Sequence, residues 1–166
     1  HSLKVIHRDI KPANVMIGEF GETVVIDWGL AKIKDDVDSA HSDPLDKTVR
    51  ALRSGDDSEM TEFGDVMGTP AYMPPEQAKG QIDAIDERSD VYSLGAVLYE
   101  LLSGVPPFSG KSSADIIDKV VNTVPMSVHE HEPNAPSDLT AICMRAIDPD
   151  PAKRYESSIA LADEIR

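Results

Sequence analysis

Residues 7–14 read His7-Arg8-Asp9-Ile10-Lys11-Pro12-Ala13-Asn14, and the reading of the chain works outward from them. Two short β-branched runs come next, Val15-Met16-Ile17 and Thr23-Val24-Val25-Ile26, separated by the turn signal Gly18-Glu19-Phe20-Gly21. That pattern predicts a small antiparallel hairpin. Polar residues stand at both ends of it: Asp9, Lys11 and Asn14 before, Asp27 after.

These residue types suit phosphoryl transfer from ATP, which needs positioning and charge neutralisation more than covalent help. A carboxylate must orient the attacking hydroxyl, and oxygen donors must hold magnesium on the phosphates. Magnesium leaves most of its coordination positions to water and phosphate, so one Asn and one Asp are enough to anchor it. Asp9, Asn14 and Asp27 supply those oxygens. The spacing His-Arg-Asp-x-x-x-x-Asn matches the protein-kinase catalytic loop, and Asp27-Trp28-Gly29 matches Asp-Phe-Gly with one substitution.

Further along, the stretch 34–62 holds nine carboxylates against four basic residues and no sustained apolar period, which predicts a mobile acidic loop. Apolar spacing then returns at Val91, Leu94, Leu98, Leu101 and Leu102, between Ser89-Asp90 and Gly104-Val105-Pro106-Pro107. With Ala96 and Val97 added, the pattern is apolar nearly all round, as in a central buried helix. Further helices are expected at 113–122, 137–147 and 157–165, between connections marked by Pro133, Pro136, Pro149 and Pro151.

Three more motifs follow in order: Gly68-Thr69-Pro70-Ala71-Tyr72-Met73-Pro74-Pro75-Glu76, Ser89-Asp90-Val91-Tyr92-Ser93-Leu94-Gly95 and Asp150-Pro151-Ala152-Lys153-Arg154. Together with the first octet they make the chain resemble the bacterial serine/threonine kinases of eukaryotic type over essentially its whole length. The resemblance implies an α+β fold, the mostly helical C-terminal lobe of a protein kinase with a short antiparallel hairpin. It spans residues 1–166, with an activation segment at 27–76. The N-terminal lobe is expected to lie upstream of His1, and the isolated lobe is expected to be inactive.

The same resemblance implies ATP and Mg2+ as cofactors and protein Ser/Thr hydroxyls as acceptors. Asp9 would be the catalytic base and Lys11 would steady the γ-phosphate. Asn14 and Asp27 would bind magnesium, and Met16 would form the apolar floor beneath adenine. Lys11 and Thr69 mark the serine/threonine branch. Glu76 would pair with Arg154 to brace the substrate-binding segment, and Asp90 would hydrogen-bond the backbone of the catalytic loop. Arg8 carries a charge beside Asp9 that an acid must neutralise. Related kinases use a phosphothreonine four residues before the Thr of Gly-Thr-Pro, where this chain has Asp65. Ser58 and Thr61 are candidate phosphosites. Trp28 replaces the family Phe, adding an indole donor that could favour the active orientation of Asp27.

A formal net charge of -14 disfavours nucleic acid and anionic membrane as partners. The single cysteine, Cys143, cannot form an internal disulfide, so a reducing, cytoplasmic setting is the default. The longest apolar stretch, Val91 to Leu102, is too short and too interrupted to span a bilayer, which places any membrane anchor outside these residues. The cluster His129-Glu130-His131-Glu132 reads as a solvated Pro-flanked connection, and His41 and Cys143 as residues without a metal role.

Two rival functions share this architecture. A pseudokinase or scaffold would keep the fold without transfer chemistry, against which Asp9, Lys11, Asn14 and Asp27 all speak. A small-molecule phosphotransferase of the aminoglycoside or choline type would lack the peptide-docking shelf at 68–76.

Overall fold

The computed structural model describes residues 5–33 and 69–166. The acidic stretch 34–62 with His41, Ser58 and Thr61, and the positions Asp65 and Gly68, lie outside the described residues.

Strand β2 (Val15–Ile17) pairs antiparallel with β3 (Thr23–Val25), Met16 opposite Val24. The turn between them closes through Gly21, whose φ of 84° is a conformation that glycine adopts without steric cost. A second small sheet joins β1 (Val5–Ile6) to β4 (Lys32–Ile33), again antiparallel. It clamps the two ends of the segment that carries the octet and the hairpin.

The rest is helical. A 3-10 turn at Thr69–Tyr72 leads into the short helix α1 (Pro75–Ala78), followed by α2 (Glu87–Ser103), α3 (Ser113–Asn122), α4 (Ser137–Ala146) and α5 (Ser158–Ile165). Helix α2 starts earlier than its apolar pattern suggests, because the Asp86 side chain caps it by accepting the Arg88 N–H at 2.8 Å. It ends at Gly104, φ 76°, whose N–H returns to the Glu100 carbonyl. Ser112 and Ser157 cap α3 and α5 in the same way as Asp86.

Helix α2 is the centre of the molecule. One side of it places Tyr92, Ala96 and Tyr99 against Val128, Cys143 and Ile147. The other places Val91 against Ile142, Ala146, Tyr155 and Leu161. A third apolar group, Met73, Ala78, Phe108, Ile116, Ile117 and Val120, lies beneath the 3-10 turn and α1. Burying each Val, Leu, Ile, Phe or Met side chain among these contributes about 1.5–3 kcal/mol. Helices α2 and α4 cross so closely that a Cβ at Gly95 would stand 2.6 Å from Ala146 Cβ. The all-round burial expected of α2 stops before its last turn, where Leu101 is 77% exposed.

Candidate active site

The octet folds as an extended loop running into a 3-10 turn at Pro12–Asn14, where Pro12 takes the first position, which needs no N–H donor. Asn14 is buried, and its side-chain amide donates to both the backbone carbonyl (2.8 Å) and the Oδ2 (3.0 Å) of Asp9. Lys11 Nζ sits 3.1 Å from the same Oδ2. The Asp9 carboxylate is thus held by an amide and an ammonium. Spending the Asn14 nitrogen on Asp9 leaves the amide oxygen of Asn14 as the group suited to a cation.

Asp27 is joined to this loop through the backbone. Ile26 N–H donates to the Asn14 carbonyl at 2.9 Å, and His7 Nε2 lies 3.0 Å from the Ile26 carbonyl. A carbonyl only accepts, so His7 carries its proton on Nε2, and Nδ1 is free to accept the Asp9 N–H at 3.3 Å. One buried imidazole therefore ties the backbone of Asp9 to the residue before Asp27. Trp28 packs on that imidazole at 4.6 Å between ring centroids, and its indole N–H donates to the Val25 carbonyl at 3.1 Å. Asp27 itself is exposed, with φ 63°, and its Oδ1 accepts from Gly29 N–H at 3.4 Å.

Arg8 also has a left-handed backbone, φ 67°. Three neighbours hold it there. Asp90 accepts the N–H groups of His7 and Arg8 at 2.8 and 2.9 Å, Gln77 Nε2 donates to the Arg8 carbonyl at 2.9 Å, and Arg8 Nε donates to the Leu30 carbonyl. Burial raises the Asp90 pKa above the usual carboxylate range, against the opposing pull of its two backbone donors.

The segment 69–76 lies between this loop and α2. Glu76 and Arg154 form a buried two-pronged pair, 2.8 and 2.9 Å, with the Ser89 hydroxyl donating to Glu76 at 2.7 Å. Burial works to raise the Glu76 carboxyl, but the guanidinium outweighs it and holds the group below its ordinary range. Tyr72 donates to Glu100 Oε2 at 2.7 Å, and burial together with that carboxylate pushes its phenol upward. Of the shelf residues singled out in the sequence, Thr69 opens the described segment as the first residue of its 3-10 turn.

Met16 is exposed on β2. Val24, directly across the hairpin from it, is exposed as well, and so are Ile17, Phe20, Ile26 and Trp28. The two histidines of residues 129–132 go elsewhere: His129 Nε2 lies 3.2 Å from Thr140 Oγ1, and His131 meets Tyr99 edge-on. The links made by Gln77 and Tyr72 were not anticipated from the sequence, although both residues lie in or beside the quoted motifs.

The protein kinase domain family matches residues 1–164. The chain belongs to that family. It is 37% identical over 167 residues to the serine/threonine-protein kinase PknB of Mycobacterium leprae (strain TN), covering 100% of this chain and 23% of that protein. PknB of Mycobacterium tuberculosis (strain ATCC 25618 / H37Rv) is 36% identical over the same length and shares. A probable PknB of Bifidobacterium longum (strain NCC 2705) is 38% identical, covering 99% of this chain and 21% of the relative. The chain thus spans less than a quarter of the length of these relatives. Among the described residues of this kinase-family chain, no helix is long and apolar enough to cross a membrane.

Proposed function

We propose that residues 1–166 are the C-terminal lobe of a serine/threonine protein kinase that moves the γ-phosphate of ATP to protein Ser/Thr hydroxyls. The observation that carries this reading is the Asp9 carboxylate held between Lys11 and Asn14, one backbone hydrogen bond away from the residue preceding Asp27. Asp9 orients the acceptor hydroxyl and takes its proton as the new O–P bond forms and the bond from the γ-phosphorus to the β,γ-bridging oxygen breaks, releasing ADP. Lys11 lies close enough to Asp9 to engage the transferred phosphoryl oxygens. Two oxygen donors, the Asn14 amide and the Asp27 carboxylate, fit a hard cation. Magnesium held there would neutralise phosphate charge. Met16 supplies an apolar surface for adenine, and the shelf braced by Glu76 and Arg154 supplies the place for a peptide.

The exposed apolar side chains on and beside the hairpin, Phe20 at 90% exposure among them, support an upstream lobe as their cover. On this reading residues 1–166 alone should not turn over. Asp65 stands where relatives carry a phosphothreonine, and we assign it to Arg8 as a partial substitute for that phosphate. Trp28, braced on His7 and Val25, favours the active orientation of Asp27. A reducing, cytoplasmic setting fits the single cysteine.

The decisive experiment is a phosphorylation assay of the full-length protein beside its Asp9→Asn variant, with ATP and a Ser/Thr protein substrate. Turnover in the parent and at least a thousandfold loss in the variant, on the scale of general-base and positioning effects, is expected. Equal turnover would defeat the assignment of Asp9, and no turnover in either would favour the scaffold reading. Asp65→Ala with unchanged activity before phosphorylation would remove the role of Asp65. Trp28→Phe with unchanged activity and nucleotide affinity would remove that of Trp28.

A further inference from the structure

Helix α1 carries an unanswered acceptor beside the catalytic loop. Gln77 is 2% exposed, and its Nε2 donates to the Arg8 carbonyl at 2.9 Å. A carbonyl cannot donate, so the amide orientation is settled and Oε1 is the atom left over. Oε1 is buried with no hydrogen-bond partner among the described residues. Buried acceptors of this kind are seldom left without a donor. Gln77 also lines a cavity of about 10 Å³, bounded by Arg8, Asp9, Tyr72 and Ser93 among others. That is room for one water molecule. Arg8 on its wall disfavours a cation, and Asp9 disfavours an anion.

We propose that this cavity is a site for a single ordered water that donates one proton to Gln77 Oε1 and the other to Ser93 Oγ. Ser93 can receive it, because its own proton goes to a carbonyl, that of Tyr72 at 2.9 Å or that of Ser89 at 3.3 Å, leaving the oxygen able to accept. The water completes a chain of hydrogen bonds from the Tyr72 backbone through Ser93 and Gln77 to the Arg8 carbonyl, one residue from Asp9. Gln77 is thereby a positioning residue that couples the peptide shelf to the base. The structural half of this inference is independent of the activity; its catalytic half rests on the kinase reading above.

Two measurements test it. A crystal structure of the protein, at a resolution that shows ordered water, should place one water within hydrogen-bonding distance of both Gln77 Oε1 and Ser93 Oγ. A protein donor on Oε1, or a cavity closed by side chains, overturns the site. In the full-length kinase, Gln77→Met should lower kcat per folded molecule about tenfold or more with KM for ATP unchanged, as expected for misplacement of the base. Ser93→Ala, which keeps the Gln77 to Arg8 bond, should give a smaller fall in the same sense. Parental kcat in both variants overturns the coupling. Absence of turnover in the parent would count against the kinase reading and leave the crystallographic result to decide the water.

Discussion

Asp90, in the first turn of α2, binds the backbone N–H groups of His7 and Arg8 with separate carboxylate oxygens, at 2.8 and 2.9 Å. The two residues it holds lie 83 and 82 positions earlier in the chain, so this single side chain ties the loop that carries Asp9 to the central helix. Asp90→Ala would leave two buried donors unpaired, at a cost of about 1–3 kcal/mol each. Urea unfolding should show a loss of about 2–6 kcal/mol on that basis. The pH dependence has a defined sign. Because burial raises the folded-state pKa of Asp90, its contribution is complete below the unfolded-state pKa and is lost as pH rises through the folded value. The advantage of the parent over Asp90→Asn should therefore narrow from acidic toward neutral pH.

Glu76 behaves in the opposite way. Arg154 holds its pKa down, so its contribution is complete above the unfolded-state pKa and disappears as pH falls through the lowered folded value. Acidification should lower the urea midpoint more steeply in the parent than in Glu76→Gln. Removing one partner of a buried pair costs about 3–5 kcal/mol, whereas replacing both by apolar residues costs much less. Arg154→Met should therefore destabilise strongly, and Glu76→Leu combined with Arg154→Met should recover a large part of the loss.

Gly95 marks the crossing of α2 and α4. A methyl group there would meet Ala146 Cβ at 2.6 Å and Ile147 Cγ2 at 2.8 Å, so the helices must separate to admit it. Gly95→Ala should destabilise by about 1–3 kcal/mol despite the higher helix propensity of alanine. A thermal melt beside Leu101→Ala, on the exposed side of the same helix, provides the control.

Cys143 is fully buried, and burial pushes its thiol up to about 12. Little thiolate forms at neutral pH, and reagent cannot reach it. Iodoacetamide should leave the native protein unmodified and label it in denaturant, as read by mass spectrometry.

Local signals in the sequence carried well into the structure. The run from Val15 to Val25 forms a hairpin because β-branched residues and a glycine turn act within a few positions of one another. The 113–122 helix is bounded by its own serine cap. The pairing of β1 with β4 was not legible, because two residues of strand carry no periodicity. Leu101 misled for a related reason: apolar spacing identifies a helix but does not say where its neighbours end. In the candidate site, residue types and spacing pointed to Asp9, Asn14 and Asp27, while the links through Gln77 and Tyr72 span 69 and 28 positions and depend on how the segment 69–78 lies against the loop and α2.

Arg8 and Asp27 both sit in left-handed backbone that residues other than glycine rarely adopt. Selection for heat resistance alone would therefore favour Asp27→Gly, which relieves that conformation at an exposed side chain, whereas Arg8→Gly would also strip a buried guanidinium from the Leu30 carbonyl. On the proposed roles, the first of these changes removes a metal ligand and the second a charge beside the base. A screen of variants by melting temperature would thus rank highly some of the proteins least able to work, and engineering of this fold should hold those two positions fixed while it seeks stability elsewhere.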